Sequence, residues 1–490
     1  MPYFSIKNPF ILIIKLLLLI ELLSFLAYFY PILQPFILIS LFVITLLISL
    51  RSLEYGLLLS VAELIIGSKG HLFSYTLFSF PLSLRLVLFI ALMIASLIYI
   101  YRQDWRLLYK KILNYPLWRP FLVLLGFIAF GLIVALIRGN SVIDIFQDIN
   151  AWFYLAWILP LSLIYLPKIT NEQKARLYLI AGAALTWLAL KGLFLLFIFS
   201  HNLVIVPDLY LWLRRSGVAE ITAMGGGWYR IFIQSQIYLA PAFIMGLWYY
   251  LSHNLNKQQK LKVYLFLVLM MTNLIMSMSR SFWLAFVLAM AVGVIFTWRN
   301  KWRFYFLNAM HVLVITLLSL LLIFIIIKFP YLNQSSSVSM SALSERLEVE
   351  SGEAALASRW SLLPALWSEI NNSFFFGQGF GANVSYVSQD PRVLAQNPDG
   401  LYTSYAFEWA YLDTWLKIGF FGLLAFLVWL LLILNGLIKS SRKENKIEIT
   451  ALAIALFFLM IVNIFTPYLN HPLGLSFLLL SSCFITKNSL

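Results

Sequence analysis

Arg280 lies in a run of alternating methionine and serine residues, 276–281, between two hydrophobic stretches. Serine hydroxyls beside a guanidinium are suited to bind an oxyanion such as a phosphate. The alternative is a tight turn capped by the serines, with the arginine extending to the membrane surface. The sequence leaves both interpretations open.

Arg230 follows a run of three glycines and two aromatic residues, and it opens a predicted hydrophobic span at 231–251. Glycines let a backbone approach a ligand closely. A helix N-terminus also offers free N–H groups and a positive dipole end to a phosphate. We therefore interpret Arg230 as a second anion-binding residue, with a flexible loop and a boundary arginine as the alternative.

Arg359 and Glu408 lie later in the chain, on either side of a glycine-rich run. Arg359 shares a predicted helical face with leucines three, four and seven residues further on. A charge on such a face needs a charged partner, which is either a ligand or Glu369. Glu408 lies among aromatic residues ahead of a predicted span, where desolvation raises the pKa of a carboxylate and nearby arginines lower it. Such a carboxylate suits a general base, and a structural salt bridge is the alternative.

The glycine-rich run is Gly377-Gln378-Gly379-Phe380-Gly381. No βαβ unit surrounds it, which excludes a dinucleotide-binding loop and favours an ordinary turn. No spacing of Cys, His and carboxylates predicts a metal site, and no sequence motif for ATP phosphates is present. We therefore expect neither a metal nor a cofactor.

The elements that must position these side chains are membrane helices. Of the 490 residues, 62% are hydrophobic and 11% are charged, whereas soluble domains contain about 25% charged residues. This composition excludes a soluble globular enzyme, and the single cysteine, Cys483, excludes a disulfide scaffold. Because a span needs about 20 apolar residues, the sequence predicts an all-α polytopic membrane protein with about 12–14 transmembrane helices. The predicted spans lie near 10–30, 32–50, 53–68, 84–101, 119–137, 151–166, 177–199, 231–251, 263–279, 281–297, 305–328, 411–436, 448–466 and 471–487.

The charges of the loops predict the orientation of these spans. The chain has 35 Lys and Arg against 20 Asp and Glu, a formal charge of +15. Basic loops of membrane proteins face the cytoplasm. With the predicted spans, all five basic loops of this chain lie on that side. The positive charge therefore indicates the orientation in the membrane, and we expect no nucleic-acid partner. Both termini are then cytoplasmic. The basic loops lie at 102–119, 168–176, 257–262, 299–303 and 439–446, and the outer segments at 69–83, 138–150, 200–230 and 329–410.

The outer segment 329–410 is predicted to fold as a large extracytoplasmic cap loop between late helices. Loops longer than about 12–15 residues are usually functional or disordered. This one contains tryptophans, Arg359, several glycines and a helix-like stretch at 354–370. The sequence thus divides into transmembrane helices 1–11 at 1–328, the cap loop at 329–410 and C-terminal transmembrane helices at 411–490.

Three motifs, in this order, resemble those of the O-antigen ligase/polymerase family of bacterial envelope glycan assembly, between residues 230 and 436. They are Ser279-Arg280-Ser281, then Arg359-Trp360 with the glycine-rich run, and then Tyr411-Leu412 with Gly419-Phe420-Phe421-Gly422. Ligases of this family typically have a His-Asn pair where this sequence has Glu408-Trp409. The resemblance therefore favours a polymerase in which Glu408 takes the place of the histidine base.

The resemblance implies a metal-independent, inverting glycosyltransferase of the bacterial cytoplasmic (inner) membrane, with its active site on the extracytoplasmic side. Its substrate would be an oligosaccharide linked to undecaprenyl diphosphate and held in the membrane lipid, and a flippase and a chain-length regulator would be its partners. Guanidinium groups suit a diphosphate because they stay charged and donate in pairs. The site would comprise Arg230, Arg280 and Arg359 on the diphosphate, Glu408 as the catalytic base, and Gly377, Gly379, Gly381 and Tyr411 shaping the loop and the glycan path.

Three other functions remain open. An O-antigen ligase would transfer the glycan from undecaprenyl diphosphate to lipid A-core, and would need that distinct acceptor. A membrane transporter is a different class; transporters often have inverted repeats and binding groups at the membrane midplane, whereas no repeat is found here and the ionisable groups gather at the outer edge. A structural membrane partner in an assembly complex is the third.

Overall fold

The computed structural model describes residues 8–77, 80–102, 109, 115, 117–166, 168–224, 227–297, 302–329, 352–389, 391–444 and 446–485. The cap-loop residues 330–351, with their serine and glutamate clusters, and Gly225 and Gly226 of the triple-glycine run lie outside the described residues. The α-helices are α1 (Pro9–Phe29), α2 (Leu33–Arg51), α3 (Leu53–Ile66), α4 (Leu84–Arg102), α5 (Trp118–Ile137), α6 (Val142–Ile149), α7 (Ile158–Tyr165), α8 (Asn171–Ser200), α9 (Val206–Arg215), α10 (Leu239–Ser252), α11 (Lys257–Met276), α12 (Arg280–Thr297), α13 (Trp302–Lys328), α14 (Gly352–Asn371), α15 (Pro391–Gln396), α16 (Ala410–Glu444), α17 (Ile447–Phe465) and α18 (Pro472–Ser482).

In the part of the chain that the structure describes, six short strands form three antiparallel two-stranded sheets, and 3-10 helices span Asn150–Trp157 and Gln234–Tyr238. Each strand has four residues, which is too short for an alternating pattern to stand out in the sequence. The hairpins were therefore not predicted, although the all-α membrane class is confirmed. The strands are β1 (Ser74–Leu77), β2 (Phe80–Ser83), β3 (Glu220–Ala223), β4 (Tyr229–Phe232), β5 (Val384–Val387) and β6 (Leu401–Ser404).

Ten helical segments among the described residues are long and apolar enough to cross a membrane. The predicted spans at 281–297 and 471–487 correspond to shorter apolar helices. Those at 53–68 and 231–251 correspond to α3 and α10, of 14 residues each. The long segments are Pro9–Phe29, Leu33–Arg51, Leu84–Arg102, Trp118–Ile137, Val142–Tyr165, Asn171–Ser200, Lys257–Met276, Ala309–Lys328, Ala410–Glu444 and Ile447–Phe465.

The chain divides into two compact units. The first comprises Met1–Tyr109 and Leu159–Ser339, and the second comprises Lys110–Ile158 and Met340–Leu490. Among the predicted site residues, the first unit contains two arginines, and the second contains the third arginine, the glutamate, the glycine-rich run and Tyr411.

In the first unit, α8 packs on α1, α3 and α11, and buried ion pairs join its helices. Lys191 of α8 lies 2.6 Å from Glu21 of α1, and both side chains are buried. Arg85 of α4 likewise pairs with Glu63 of α3 at 3.1 Å. Charges inside apolar helices need such partners. Glu21 lies in the middle of α1, so this buried pair is an exception to the expectation that the ionisable groups gather at the outer edge.

In the second unit, the 35-residue helix α16 packs on α5, α17 and α18. It is kinked at Gly419, whose φ of 74° is not helical. A small apolar core joins the start of α16 to α14 and to strand β5; it consists of Leu362, Leu366, Ile370, Ala382, Val384, Phe407 and Leu416. The helix predicted at 354–370 is confirmed as α14. Leu362 and Leu366, two of the leucines that the sequence placed on one face with Arg359, lie in this core.

Candidate active site

The serine-arginine turn connects α11 to α12 in three residues, 277–279. The buried Ser277 anchors it, because its N–H donates to the carbonyl of Asn273 at 3.0 Å and its hydroxyl donates to the carbonyl of Leu274 at 2.7 Å. The next residue, Met278, has a φ of 46°. The hydroxyls of Ser279 and Ser281 then lie 3.1 Å apart. The serines therefore build the turn, as the simpler sequence interpretation predicted.

Arg230 lies on strand β4, paired with Thr222 of strand β3. The expectation that it opens a helix is wrong, because α10 begins only at Leu239, and the helix-dipole argument does not apply to this residue. Its guanidinium instead reaches the serine-arginine turn, where Nε donates to the carbonyl of Ser277 at 3.1 Å. It also lies over the ring of Phe232, 5.0 Å from the centroid, a favourable position for a cation.

Arg280 is the first residue of α12, and its side chain is exposed. The positive dipole end and the free N–H groups that suit a phosphate are therefore found here. Through Ser277, the structure also links two of the three arginines that the sequence assigned to the diphosphate. The first unit thus presents two guanidinium groups and several hydroxyls on one hairpin and one turn.

Glu220 supplies a negative charge to the same hairpin. Burial raises the pKa of its carboxyl, but the ion pair with Lys69 at 2.9 Å and the charges of Arg214 and Arg230 outweigh this effect and lower the pKa below its ordinary value. The carboxylate is consequently ionised at neutral pH. It partly offsets the positive charge around Arg230 and fixes strand β3 to the loop that contains Lys69.

Arg359 and Glu408 form an ion pair in the second unit, between Nε and Oε2. This contact is a salt bridge of the kind that the sequence offered as the alternative to a general base. The two side chains are 38% and 48% exposed, so the carboxylate is more accessible to solvent than the sequence suggested. Glu369, the alternative partner for Arg359, instead accepts a hydrogen bond from the side chain of Gln378 at 2.8 Å. The indole Nε1 of Trp409 donates to the carbonyl of Arg359 at 3.0 Å and holds the two segments together.

The glycine-rich run is packed against the kinked helix α16. The N–H groups of Gln378 and Gly379 donate to the carbonyls of Leu416 and Lys417, at 2.6 and 3.1 Å. Gly379 has a φ of 84°, and a Cβ there would overlap the backbone of Ala135 in α5. Gly377 and Gly381 also have positive φ. The run therefore shapes the loop by close packing, which a flexible turn would not require.

Tyr411 and Tyr405 flank Glu408 at the start of α16. The hydroxyl of Tyr411 donates to the carbonyl of Met460 in α17 at 3.0 Å, so it fixes the first turn of α16. The hydroxyl of Tyr405 donates to the side chain of Gln147. Burial raises the pKa of Tyr405, and the neighbouring carboxylates of Asp148 and Asp144 raise it further. Tyr405 is therefore protonated at neutral pH and serves as a hydrogen-bond donor.

A buried charge cluster next to this segment was missed by the sequence reasoning. Lys417 lies 2.5 Å from Asp148 of α6 and 2.6 Å from Asp413, one turn earlier on α16. Asp148 also accepts the N–H of Gly381 at 2.8 Å, and Asp413 accepts from the side chain of Asn470 at 3.0 Å. All three charged side chains are less than a tenth exposed. The signal was an acid and a base four residues apart in an apolar helix.

The four charged residues predicted for chemistry thus form two linked sets, each within one unit. Arg230 is joined to the turn that ends at Arg280, and Arg359 is joined to Glu408. No group of three or more His, Cys, Asp or Glu within the described ranges could hold a metal ion.

A comparison with known families matches residues 265–427 to the family model described as O-antigen ligase. The matched segment begins in α11 and ends in α16, so it includes Arg280, Arg359 and Glu408, whereas Arg230 precedes it. No curated protein matches the chain. Residues 265–427 are therefore similar to the O-antigen ligase family, and this match confirms the resemblance to the O-antigen ligase/polymerase family.

Proposed function

We propose that the protein polymerises polysaccharide repeat units outside the cytoplasm, using undecaprenyl-diphosphate-linked oligosaccharides as donors and no metal ion. The ion pair between Arg359 and Glu408 carries this proposal. A carboxylate that is accessible from solvent can accept the proton of a sugar hydroxyl. Both side chains are partly exposed, as a substrate requires.

Arg230 and Arg280 would hold the diphosphate of the donor. The Nε of Arg230 is used by the carbonyl of Ser277, and its terminal nitrogens make no hydrogen bond to the described residues. They are therefore able to donate to two phosphate oxygens at once. Arg280 would contribute a second guanidinium with paired N–H donors. It also lies at the N-terminus of α12, where backbone N–H groups favour an anion.

Arg359 would be the third guanidinium for the diphosphate, as the resemblance to the family implies, because a guanidinium stays charged and can meet the charge of a leaving group. In the free chain it pairs with Glu408.

The reaction is a direct displacement at the anomeric carbon. The hydroxyl oxygen of the acceptor sugar forms the new glycosidic bond, the bond between the anomeric carbon and the diphosphate breaks, and Glu408 takes the hydroxyl proton. Undecaprenyl diphosphate leaves with the bonding electrons. A single attack from the opposite face inverts the anomeric centre.

The proposal is tested with the purified protein in lipid nanodiscs and the lipid-linked repeat unit as sole substrate, in the presence of a chelator. A ladder of products that differ by one repeat unit is expected. Failure to form any product from this donor, with a donor batch that a known polymerase accepts, would contradict polymerisation.

A ligase is the second candidate, because the family model that matches the chain is described as O-antigen ligase. A ligase would give no ladder from the donor alone, but would transfer one glycan when a lipid A-core acceptor is added. The same assay with and without this acceptor therefore separates the two functions.

We also assign the protein to the bacterial cytoplasmic membrane, with the candidate site on its outer side. The ten apolar segments support a multi-pass protein, and the basic loops favour this orientation. Labelling of a single cysteine at Ser281 by a membrane-impermeant maleimide in intact cells tests the sidedness, in a background where Cys483 is replaced by Ser.

A further inference from the structure

Two successive residues of α14 contact two successive residues ahead of α16. Arg359 pairs with Glu408, and next to them the rings of Trp360 and Trp409 pack edge to face, with centroids 5.6 Å apart. Trp409 is partly buried against the apolar core, whereas Trp360 is 59% exposed. An exposed indole ring therefore stands beside the proposed catalytic carboxylate, supported from behind by a second indole.

Trp367 provides a comparison on the same helix. It is 44% exposed and packs edge to face on Trp415, also at 5.6 Å. Trp415 in turn contacts the rings of Phe374 and Phe420. The surroundings of Trp367 are therefore aromatic, as expected for a tryptophan at a membrane interface, whereas Trp360 has an ion pair beside it.

We propose that Trp360, supported by Trp409, is the binding platform for a sugar ring of the acceptor glycan. The C–H face of a pyranose is apolar and packs on an aromatic face, while its hydroxyls point outward from the ring edge. A carboxylate and a guanidinium beside the indole supply an acceptor and donors for those hydroxyls. Few polar groups beside an aromatic surface are typical of small-molecule sites.

This inference extends the proposed function, on which it rests for the choice of a glycan as ligand. If a hydroxyl of the bound sugar is to reach Glu408, the ring that carries it must lie against the residues next to Glu408. Trp360 is an exposed aromatic side chain directly next to Arg359, the ion-pair partner of Glu408. By its shape it would select the acceptor sugar. A membrane-interface role for Trp360 is the competing outcome, which the experiment separates.

The experiment compares Trp360→Phe, Trp360→Leu and the control Trp367→Leu in nanodiscs. Phenylalanine keeps a flat ring, and leucine keeps apolar bulk without one. The probe is the free oligosaccharide repeat released by mild acid from the lipid-linked pool of the producing cells, which lacks the diphosphate. We expect Trp360→Leu to weaken its binding about tenfold, which corresponds to about 1.4 kcal/mol, because leucine has no flat aromatic face for the sugar ring. Trp360→Phe and Trp367→Leu should stay within about threefold of the unmodified protein.

Equal binding by Trp360→Leu and the unmodified protein would overturn the inference, as would equal losses in Trp360→Leu and Trp367→Leu. Fluorine NMR of the unmodified chain labelled with fluorotryptophan gives a second measurement that requires no leucine variant to fold. The Trp360 resonance, assigned by its absence in Trp360→Phe, should shift when the oligosaccharide is added, and an unchanged resonance contradicts the platform.

The outcome is independent of catalysis, because binding of the free oligosaccharide requires no turnover. If Glu408→Gln keeps full activity but Trp360→Leu loses binding, the proposed base fails and the platform stands. If Glu408→Gln is inactive and Trp360→Leu binds the oligosaccharide normally, the proposed base stands and the platform fails.

Discussion

The Nε atom of Arg230 donates a hydrogen bond to the carbonyl oxygen of Ser277 at 3.1 Å. This contact joins strand β4 to the turn between α11 and α12, although the two segments are 47 residues apart. It orients the guanidinium by its Nε and leaves the terminal nitrogens for a ligand. A lysine would present a compact ammonium instead, without the planar fork that donates to two phosphate oxygens in parallel.

Arg230→Lys should therefore raise the KM for the lipid-linked donor by about tenfold, the effect of losing one charge-assisted hydrogen bond. Initial rates at varied donor concentration measure it. Arg215→Lys is the matched control, because Arg215 is an exposed arginine of the preceding helix α9 and should leave KM unchanged. Equal KM values in all three proteins would contradict a role for Arg230 at the diphosphate.

Gly379→Ala should lower the free energy of unfolding by about 2–4 kcal/mol, because the new Cβ overlaps the backbone of Ala135 and φ is positive. Thermal unfolding in detergent measures the change. Gly126→Ala in α5 is the control, since a Cβ there meets no atom within 4 Å and alanine favours a helix. A Gly379→Ala protein as stable as the control would show that the glycine-rich run is not closely packed.

Lys417→Met should destabilise the second unit by about 3–5 kcal/mol, because it leaves two buried carboxylates without their cation. The exposed Lys446, which pairs with Glu444, provides the control, and Lys446→Met should change stability by less than about 0.5 kcal/mol. Chemical or thermal unfolding of the two variants in the same detergent makes the comparison. Similar stabilities would indicate that the cluster is hydrated.

His71 should make the stability of the first unit depend on pH. As the pH is lowered below about 6.5, the ordinary pKa of histidine, the free energy of unfolding should decrease. Burial lowers the pKa of His71, and the charges of Arg85 and Lys69 lower it further. As the pH falls below the unfolded-state pKa, the unfolded chain binds a proton that the folded chain does not. The free energy of unfolding then decreases by up to about 1.4 kcal/mol per pH unit, until the pH reaches the folded-state pKa.

Unfolding midpoints recorded between about pH 7.5 and pH 5.5 measure this slope. His71→Asn should reduce it, whereas His253→Asn, at an exposed histidine, should preserve it. A slope that is the same in both variants would assign the pH dependence to other groups.

The sequence predicted the membrane class and most of the helices because long apolar runs leave few alternatives. Its failures were at the ends of those runs. The span predicted at 231–251 begins with strand β4 and a 3-10 helix, and α10 starts only at Leu239. Hydropathy does not distinguish an apolar strand from an apolar helix over a few residues.

The candidate site was predictable in its residue types and only partly in its contacts. The serines around Arg280 marked a turn correctly, but nothing in the sequence indicates that Arg230 reaches it. Similarly, Arg359 was expected to pair with Glu369 or a ligand, and its partner is Glu408, 49 positions away. Long-range pairs depend on how the segments pack, which neither spacing nor composition specifies.

The central claim is that Glu408 removes the proton from the attacking sugar hydroxyl. The most direct test is the initial rate of chain extension by Glu408→Gln in nanodiscs, with donor binding measured in parallel and Glu172→Gln, at an exposed glutamate, as control. We expect a rate loss of at least about a hundredfold with donor affinity retained. A Glu408→Gln protein that extends chains at the rate of the unmodified protein would contradict it.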